Sequence, residues 1–133
     1  MDPLAITASV IAVIGAAKKV KKSLRLLKDV KDAPDGLRDL LDHISRFESF
    51  LRASERGVPE SDTDAPELRE RLLEAKAKLV EIDQFAQYTL TEAGESSKVD
   101  RWQWVQKRSV VERFKRQLDE IRQDVMSLTH AGS

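Results

Sequence analysis

The chain has 133 residues, carries 23 cations and 23 anions, and contains no cysteine. It is long enough to bury a core without covalent staples. Disulfides and thiolate chemistry are excluded, and no net field steers the whole chain toward nucleic acid or membrane. The absence of cysteine fits a reducing cytosol. The charge is unevenly placed, however. Residues 1–31 hold seven cations against Asp2 and Asp29, a local +5, which leaves −5 for the rest. A basic end on a neutral chain implies a local contact.

The first predicted helix spans about residues 3–32. Asp2 can cap its free N–H groups, and Pro3 has the φ of a first helical turn. Its head, Pro3 to Ala17, carries no charge, and its stem, Lys18 to Lys31, carries all seven cations. The head is no secretory signal, because the cations follow the apolar run rather than precede it. It is also short for a membrane span: about 22 Å of helix against a hydrocarbon core of roughly 30 Å. Leu4, Ala8, Ile11 and Gly15 suggest a narrow inward stripe, with Ile6, Val10, Val13 and Ile14 left on other faces. A bundle rarely covers a helix on all sides, so part of the head is expected to be exposed, packed on another copy, or in lipid. Ala8, Ala12, Gly15 and Ala16 would permit close helix approach. Val20, Leu24, Leu27 and Val30 give the stem its own stripe.

Pro34 and Gly36 mark a tight turn. A second helix is predicted over about 35–56, with Leu37, Leu40, Ile44, Phe47 and Leu51 on one face and Leu41 and Phe50 widening it. Gly57 and Pro59 stop it, and the acidic stretch Gly57–Asp64 is expected to be a mobile loop. A third helix is expected over about 65–91 on Leu68, Leu72, Ala75, Leu79, Ile82 and Ala86, flanked by Leu73, Phe85 and Leu90. A break is expected at Glu92–Ser97, followed by a capping-box spacing from Ser97 to Asp100. The fourth helix, about 98–129, has the most regular pattern: Val111, Phe114, Leu118, Ile121, Val125 and Leu128, with Trp104 in the same register. No segment has the pattern of a strand and no repeat recurs. The expectation is an all-α, up-down four-helix bundle with a long N-terminal helix, one domain over 1–133.

Catalytic constellations are wanting. His43 and His130 have no partner at ligand spacing, the five glycines form no phosphate loop, and no nucleophile sits with a base. Carboxylates fall beside cations on polar faces, as with Asp119 and Glu120 four residues from Lys115 and Arg116. The chain is not expected to be an enzyme or to use a cofactor or metal. Lys18, Lys19, Lys21, Lys22, Arg25 and Lys28 admit two interpretations. They can be a solvated face beside the apolar stripe, or a headgroup site worth about 1 kcal/mol per cation near an anionic surface. An adjacent apolar segment supplies the second signal that stable membrane attachment needs. Nucleic acid is a weaker choice, since no aromatic residues interleave with the lysines. Trp102 lies off the core register and admits two readings, an interface anchor or a side chain that caps the bundle end.

The opening MDPLAITASVIAVIGAAKKV, the middle LRDLLDHISRFESFL and the late KVDRWQWVQKRSVVERFKRQLDEIRQDVMSL resemble the fungal HeLo-like N-terminal domains. These stand at the front of fungal NOD-like receptors, ankyrin-repeat proteins and related signalling proteins. The likeness covers nearly the whole chain, and its most specific part is the MDPL start before a small-and-aliphatic run. It implies a helical-bundle effector of regulated cell death, heterokaryon incompatibility and innate immunity. Such an effector is similar in role to the four-helix domain of the mixed-lineage kinase domain-like pseudokinase and to plant resistance-protein coiled-coil domains. By that resemblance the first helix is released on activation, copies assemble into a homo-oligomer, and the plasma membrane is permeabilised by pore formation. Leu4, Ile6, Val10, Ile11, Val13 and Ile14 take the membrane-inserting part. The partners implied are an anionic phospholipid membrane, further copies of the chain, and a regulatory receptor or amyloid-signalling protein. The domain would be excised from a longer protein, cytoplasmic at rest and at the plasma membrane when active. The rival expectation is a non-lytic protein-interaction module that uses the same apolar surface, with Trp102 as its anchor.

Overall fold

In the computed structural model the described backbone covers residues 3–29, 36–55, 65–96 and 101–130, and the described side chains are those of 8–29, 36–53, 66–91 and 107–128. Four α-helices fill these spans: α1 (Pro3–Lys28), α2 (Gly36–Glu55), α3 (Ala65–Ser96) and α4 (Arg101–His130). Among the described residues there is no strand. The protein is an all-α four-helix bundle.

Each helix forms because its apolar residues recur at three- and four-residue spacing, and each buries that face. The core holds Val10, Val13, Ile14, Ala17, Val20, Leu24 and Leu27 from α1, and Leu37, Leu40, Leu41, Ile44, Phe47 and Leu51 from α2. From α3 come Leu68, Leu72, Ala75, Leu79, Ile82 and Ala86, and from α4 Val111, Phe114, Leu118, Ile121 and Val125. Phe50, Phe85, Leu90 and Leu128 pack partly buried at its edge. Burial of the larger side chains is worth about 1.5–3 kcal/mol each.

Two boundaries differ from the expected ones. α1 ends at Lys28 and turns at Asp29, short of residue 32, and it runs through Gly15 without a break. α3 continues through Glu92-Ala93-Gly94-Glu95 to Ser96, where a break was expected at Glu92–Ser97. A single glycine costs a helix only about 1 kcal/mol relative to alanine. The two preceding threonines do not interrupt the ladder either: Thr89 Oγ1 donates to the Phe85 carbonyl at 2.8 Å, and Thr91 Oγ1 to that of Gln87 at 3.0 Å.

Side-chain contacts fix how the helices run. Lys19 meets Asp83 while Ala8 and Ala12 lie beside Leu72 and Lys76, so α1 and α3 are neighbours and parallel. Gly36 abuts Val111 and Asp39 meets Lys115, so α2 and α4 are also parallel. Lys107 reaches Thr89 and Arg71 reaches Asp124, which makes α3 and α4 antiparallel. α1 packs on α2 and α3, and α4 packs on α2 and α3. Among the described residues α2 and α3 do not pack on each other, nor do α1 and α4.

The α3–α4 contact is aromatic and cationic. Phe85 and Phe114 meet edge to face at 5.6 Å, and the Lys107 ammonium lies 5.6 Å from the ring centres of Phe85 and Tyr88. The i,i+4 pairs expected around Lys115 and Asp119 are not the ones formed. Lys115 reaches Glu112 and, across helices, Asp39, whereas Asp119 accepts from Arg122 and Gln123. Partly buried Lys115 gains more from two anions it can touch than from an exposed i,i+4 neighbour.

Two substitutions test this packing. Leu24→Ala removes a fully buried side chain and should lower the unfolding free energy by about 2–5 kcal/mol in chemical denaturation. Gly15→Ala should raise it by about 0.5–1 kcal/mol, because a Cβ at Gly15 meets nothing.

Candidate functional site

The face that α1 turns to solvent is the candidate site, and its residues follow from the helix phase. Val20, Leu24 and Leu27 are fully buried and fix the inward direction. Stepping backward by three and four from them reaches Ala17, Ile14, Val13 and Val10, all buried. The expected inward stripe of Ala8, Ile11 and Gly15 is therefore corrected: these three face outward, and Ile11 is 53% exposed. The stem sets the phase because its leucines bury more apolar area than alanine or glycine can. Of the residues expected to insert into membrane, Val10, Val13 and Ile14 are in the core and Ile11 is on the surface. The side chains of Leu4 and Ile6 lie outside the described residues, as do those of Trp102, Trp104 and His130, the residues Val30 and Lys31, the loop 57–64 and the capping spacing at 97–100.

The outward face continues from Ala8, Ile11 and Gly15 into Lys18, Lys19, Lys22 and Arg25, with Lys28 at the helix end, all exposed. Lys18, Lys22, Arg25 and Lys28 form no ion pair with a described residue. Among them stands Leu26, 57% exposed, an aliphatic side chain outside the expected stripes. Along the α1–α3 seam lie two hollows of about 250 Å³ each. Ala8, Ala12, Gly15 and Ala16 form one wall, and Leu73, Lys76 and Val80 the other. Leu73 and Val80 are 50% and 43% exposed. Leu73 was expected only to flank the stripe of its own helix; its place opposite Ala8 and Ala12 depends on helix adjacency, which carries no signal in the sequence.

Beneath this face two polar clusters hold α1 down. Buried Ser23 donates from Oγ to Asp83 Oδ1 at 2.6 Å, and Gln87 donates to Asp83 Oδ2 at 2.8 Å. Lys19, with its side chain 72% exposed, lies 3.9 Å from the same carboxylate. On the other flank Lys21 Nζ stands 2.8 Å from Glu48 Oε1, and Arg52 Nε donates to Glu48 Oε2 at 3.0 Å. The Lys21 contact is an ion pair with poor hydrogen-bond alignment, since Glu48 Oε1 has no aligned donor. Lys21, expected among the headgroup residues, differs from its neighbours: only 14% of its side chain is exposed, and Glu48 engages its charge. Ser23, Asp83 and Glu48 were not among the residues expected at the site. A polar residue interrupting an apolar stripe, as Ser23 does between Val20 and Leu27, was the available signal.

Burial pushes the Glu48 carboxyl up, but the close Lys21 charge and the hydrogen-bonded Arg52 cation more than offset this and hold it below the ordinary glutamate value. A carboxyl depressed in the folded state adds stability above its unfolded pKa, and that stability is lost as pH falls through the folded value.

No group of three or more His, Cys, Asp or Glu side chains among the described residues could hold a metal ion. Among them, too, no helix is long and apolar enough to cross a membrane. Comparison with known proteins finds no matching family model, curated protein or solved structure.

Ser23→Ala, which strands the Asp83 Oδ1 acceptor, should cost about 1–3 kcal/mol of stability. Glu48→Gln should lower stability at neutral pH and flatten its fall below the ordinary glutamate range, as read from urea unfolding at a series of pH values.

Proposed function

We propose that this chain is a membrane-targeting effector domain that docks on anionic lipid through the exposed cations of α1. The observation that carries the proposal is the row Lys18, Lys22, Arg25 and Lys28: four like charges on exposed positions of one helix, none neutralised by a described residue, directly following an apolar segment. Each is worth about 1 kcal/mol at an anionic surface, so together they match a modest peripheral attachment. Following the resemblance to fungal HeLo-like domains, the subsequent step is release of the apolar head, assembly with further copies and permeabilisation of the plasma membrane in regulated cell death.

Energetics say what that step requires. Withdrawing Val10, Val13, Ile14, Ala17, Val20, Leu24 and Leu27 exposes seven buried residues, on the order of 10 kcal/mol or more, which is comparable with the whole stability of a domain. α1 cannot leave into water. It can leave only where lipid or another copy takes up the same apolar surface, and where the Ser23–Asp83 and Lys21–Glu48 contacts are broken. A trigger and a hydrophobic destination are both needed.

A second reading has its own support. Leu73 and Val80 lie exposed beside the seam hollows, which suits a non-lytic protein-interaction module.

Co-sedimentation with neutral and with phosphatidylserine-containing vesicles, with dye release in parallel, tests the proposal. The intact chain should bind only the anionic vesicles, and binding should fall with added salt. Lys18→Glu with Lys22→Glu and Arg25→Glu should abolish it, whereas Lys21→Gln should leave binding in place and weaken only folding. Retention of binding in the triple variant, or absence of binding by the intact chain, would refute the proposal. Binding without leakage would keep the docking step and reject permeabilisation by the domain alone.

A further inference from the structure

We infer that the folded bundle meets anionic lipid with the whole α1–α3 face, and that Arg69, Leu73, Lys76 and Val80 of α3 belong to the contact. The inference rests on the lipid-docking reading and adds to it which side of the intact molecule lies against the membrane. It places headgroup residues on a helix that carries no basic cluster in the sequence.

The make-up of the α3 side is the first support. Positions 69, 73, 76, 80, 84 and 87 follow each other by three and four and so share one face of the helix. They are Arg69, Leu73, Lys76, Val80, Gln84 and Gln87, all exposed. That face thus offers two cations, two aliphatic side chains and two amides. Asp83, at the border of that face with α1, is buried and accepts from Ser23 and Gln87. The exposed acids Glu67, Glu70, Glu74 and Glu81 fall outside these positions, and Glu74 and Glu81 are already paired with Arg71 and Lys78.

The second support is that α1 presents the same mixture beside it. The two helices are parallel and adjacent, with Ala12 against Lys76 and Lys19 against Asp83. Ala8, Ala12, Gly15 and Ala16 keep the seam low, so side chains on either side of it can reach one plane. Lys19, Lys22 and Leu26 on α1 then stand with Arg69, Leu73, Lys76 and Val80 on α3. Cations with interspersed exposed aliphatics are what an interfacial contact needs: the charges hold the phosphates and the aliphatics enter the headgroup boundary.

Charge decides among occupants. A second copy meeting this face with its own would set lysine and arginine against lysine and arginine, which electrostatic complementarity disfavours. An anionic lipid surface supplies negative charge under every cation at once. Arg69 and Lys76, like Lys22, form no ion pair with a described residue, so their charge is available to it.

The test uses vesicles of phosphatidylcholine with phosphatidylserine and variants confined to α3. Arg69→Glu with Lys76→Glu should weaken partitioning at least tenfold, and Leu73→Gln with Val80→Gln should weaken it severalfold. Both pairs are on exposed positions, so circular dichroism and urea unfolding should match the parent. Because the chain lacks cysteine, Val80→Cys and Glu120→Cys can each carry one environment-sensitive fluorophore. On the vesicles the label at Val80→Cys should shift to the blue, and that at Glu120→Cys on α4 should not. Folded α3 variants that bind as tightly as the parent, or equal shifts at the two labels, would overturn the inference. If the α1 triple variant loses binding while the α3 pairs keep it, docking by α1 stands and the α3 contribution falls. A blue shift at Val80→Cys that rises with protein concentration without vesicles would assign the face to another copy and overturn the inference as well.

Discussion

The packing of α1 against α3 and α2 is the constraint on which the rest depends. α1 supplies an inward apolar stripe from Val10 to Leu27, interrupted only by buried Ser23, and once that stripe is buried the opposite face has no freedom. Ala8, Ile11 and Gly15 must point outward, and so must Lys18, Lys22 and Arg25. One helix is therefore both a structural wall of the bundle and its most distinctive surface. Any event that uses α1 as an independent segment must first replace the contacts of that wall.

The polar contacts around α1 divide in character. Ser23, Gln87 and Asp83 make short, directed hydrogen bonds at a buried carboxylate, where loss of one partner leaves an unsatisfied acceptor. Lys21, Arg52 and Glu48 form an ion-pair cluster whose net contribution balances attraction against desolvation. The first set fixes the rotation of α1 against α3, and the second ties α1 to α2. Neither adds as much stability as the apolar stripe, but both specify its register.

The helices were legible in the sequence wherever the apolar period was strict. Over the described residues the stripes of α2, α3 and α4 are the expected ones, with Trp104 of α4 outside them, and Leu41 and Phe50 widen the α2 face as the pattern suggested. The head of α1 was misjudged because nearly every residue there is apolar, so the local pattern allows several phases; the charged stem resolves it only when helix continuity is imposed. The extension of α3 through Gly94 was hidden by residues that favour breaks but only mildly oppose helix. Lys21 could not be separated from its neighbours, since five lysines and arginines within eight positions look alike until one finds Glu48. Arg69 and Lys76 were passed over for the opposite reason: single cations among the acids of α3 look like ordinary surface charge until their face is set beside α1.

By itself, the sequence determined that this is an all-helical chain, which side chains could form a core, and that its cations gather beside an apolar segment. These are local properties, set by spacing along one helix at a time. Only the tertiary structure decided that α1 neighbours α3 rather than α4, that Ala12 lies against Lys76 along an open seam, and that Ser23 and Glu48 become buried. Such pairings join residues far apart in the chain, 60 positions in the case of Ser23 and Asp83, and the local pattern is compatible with several helix arrangements. Burial and charge complementarity across the assembled bundle choose among them.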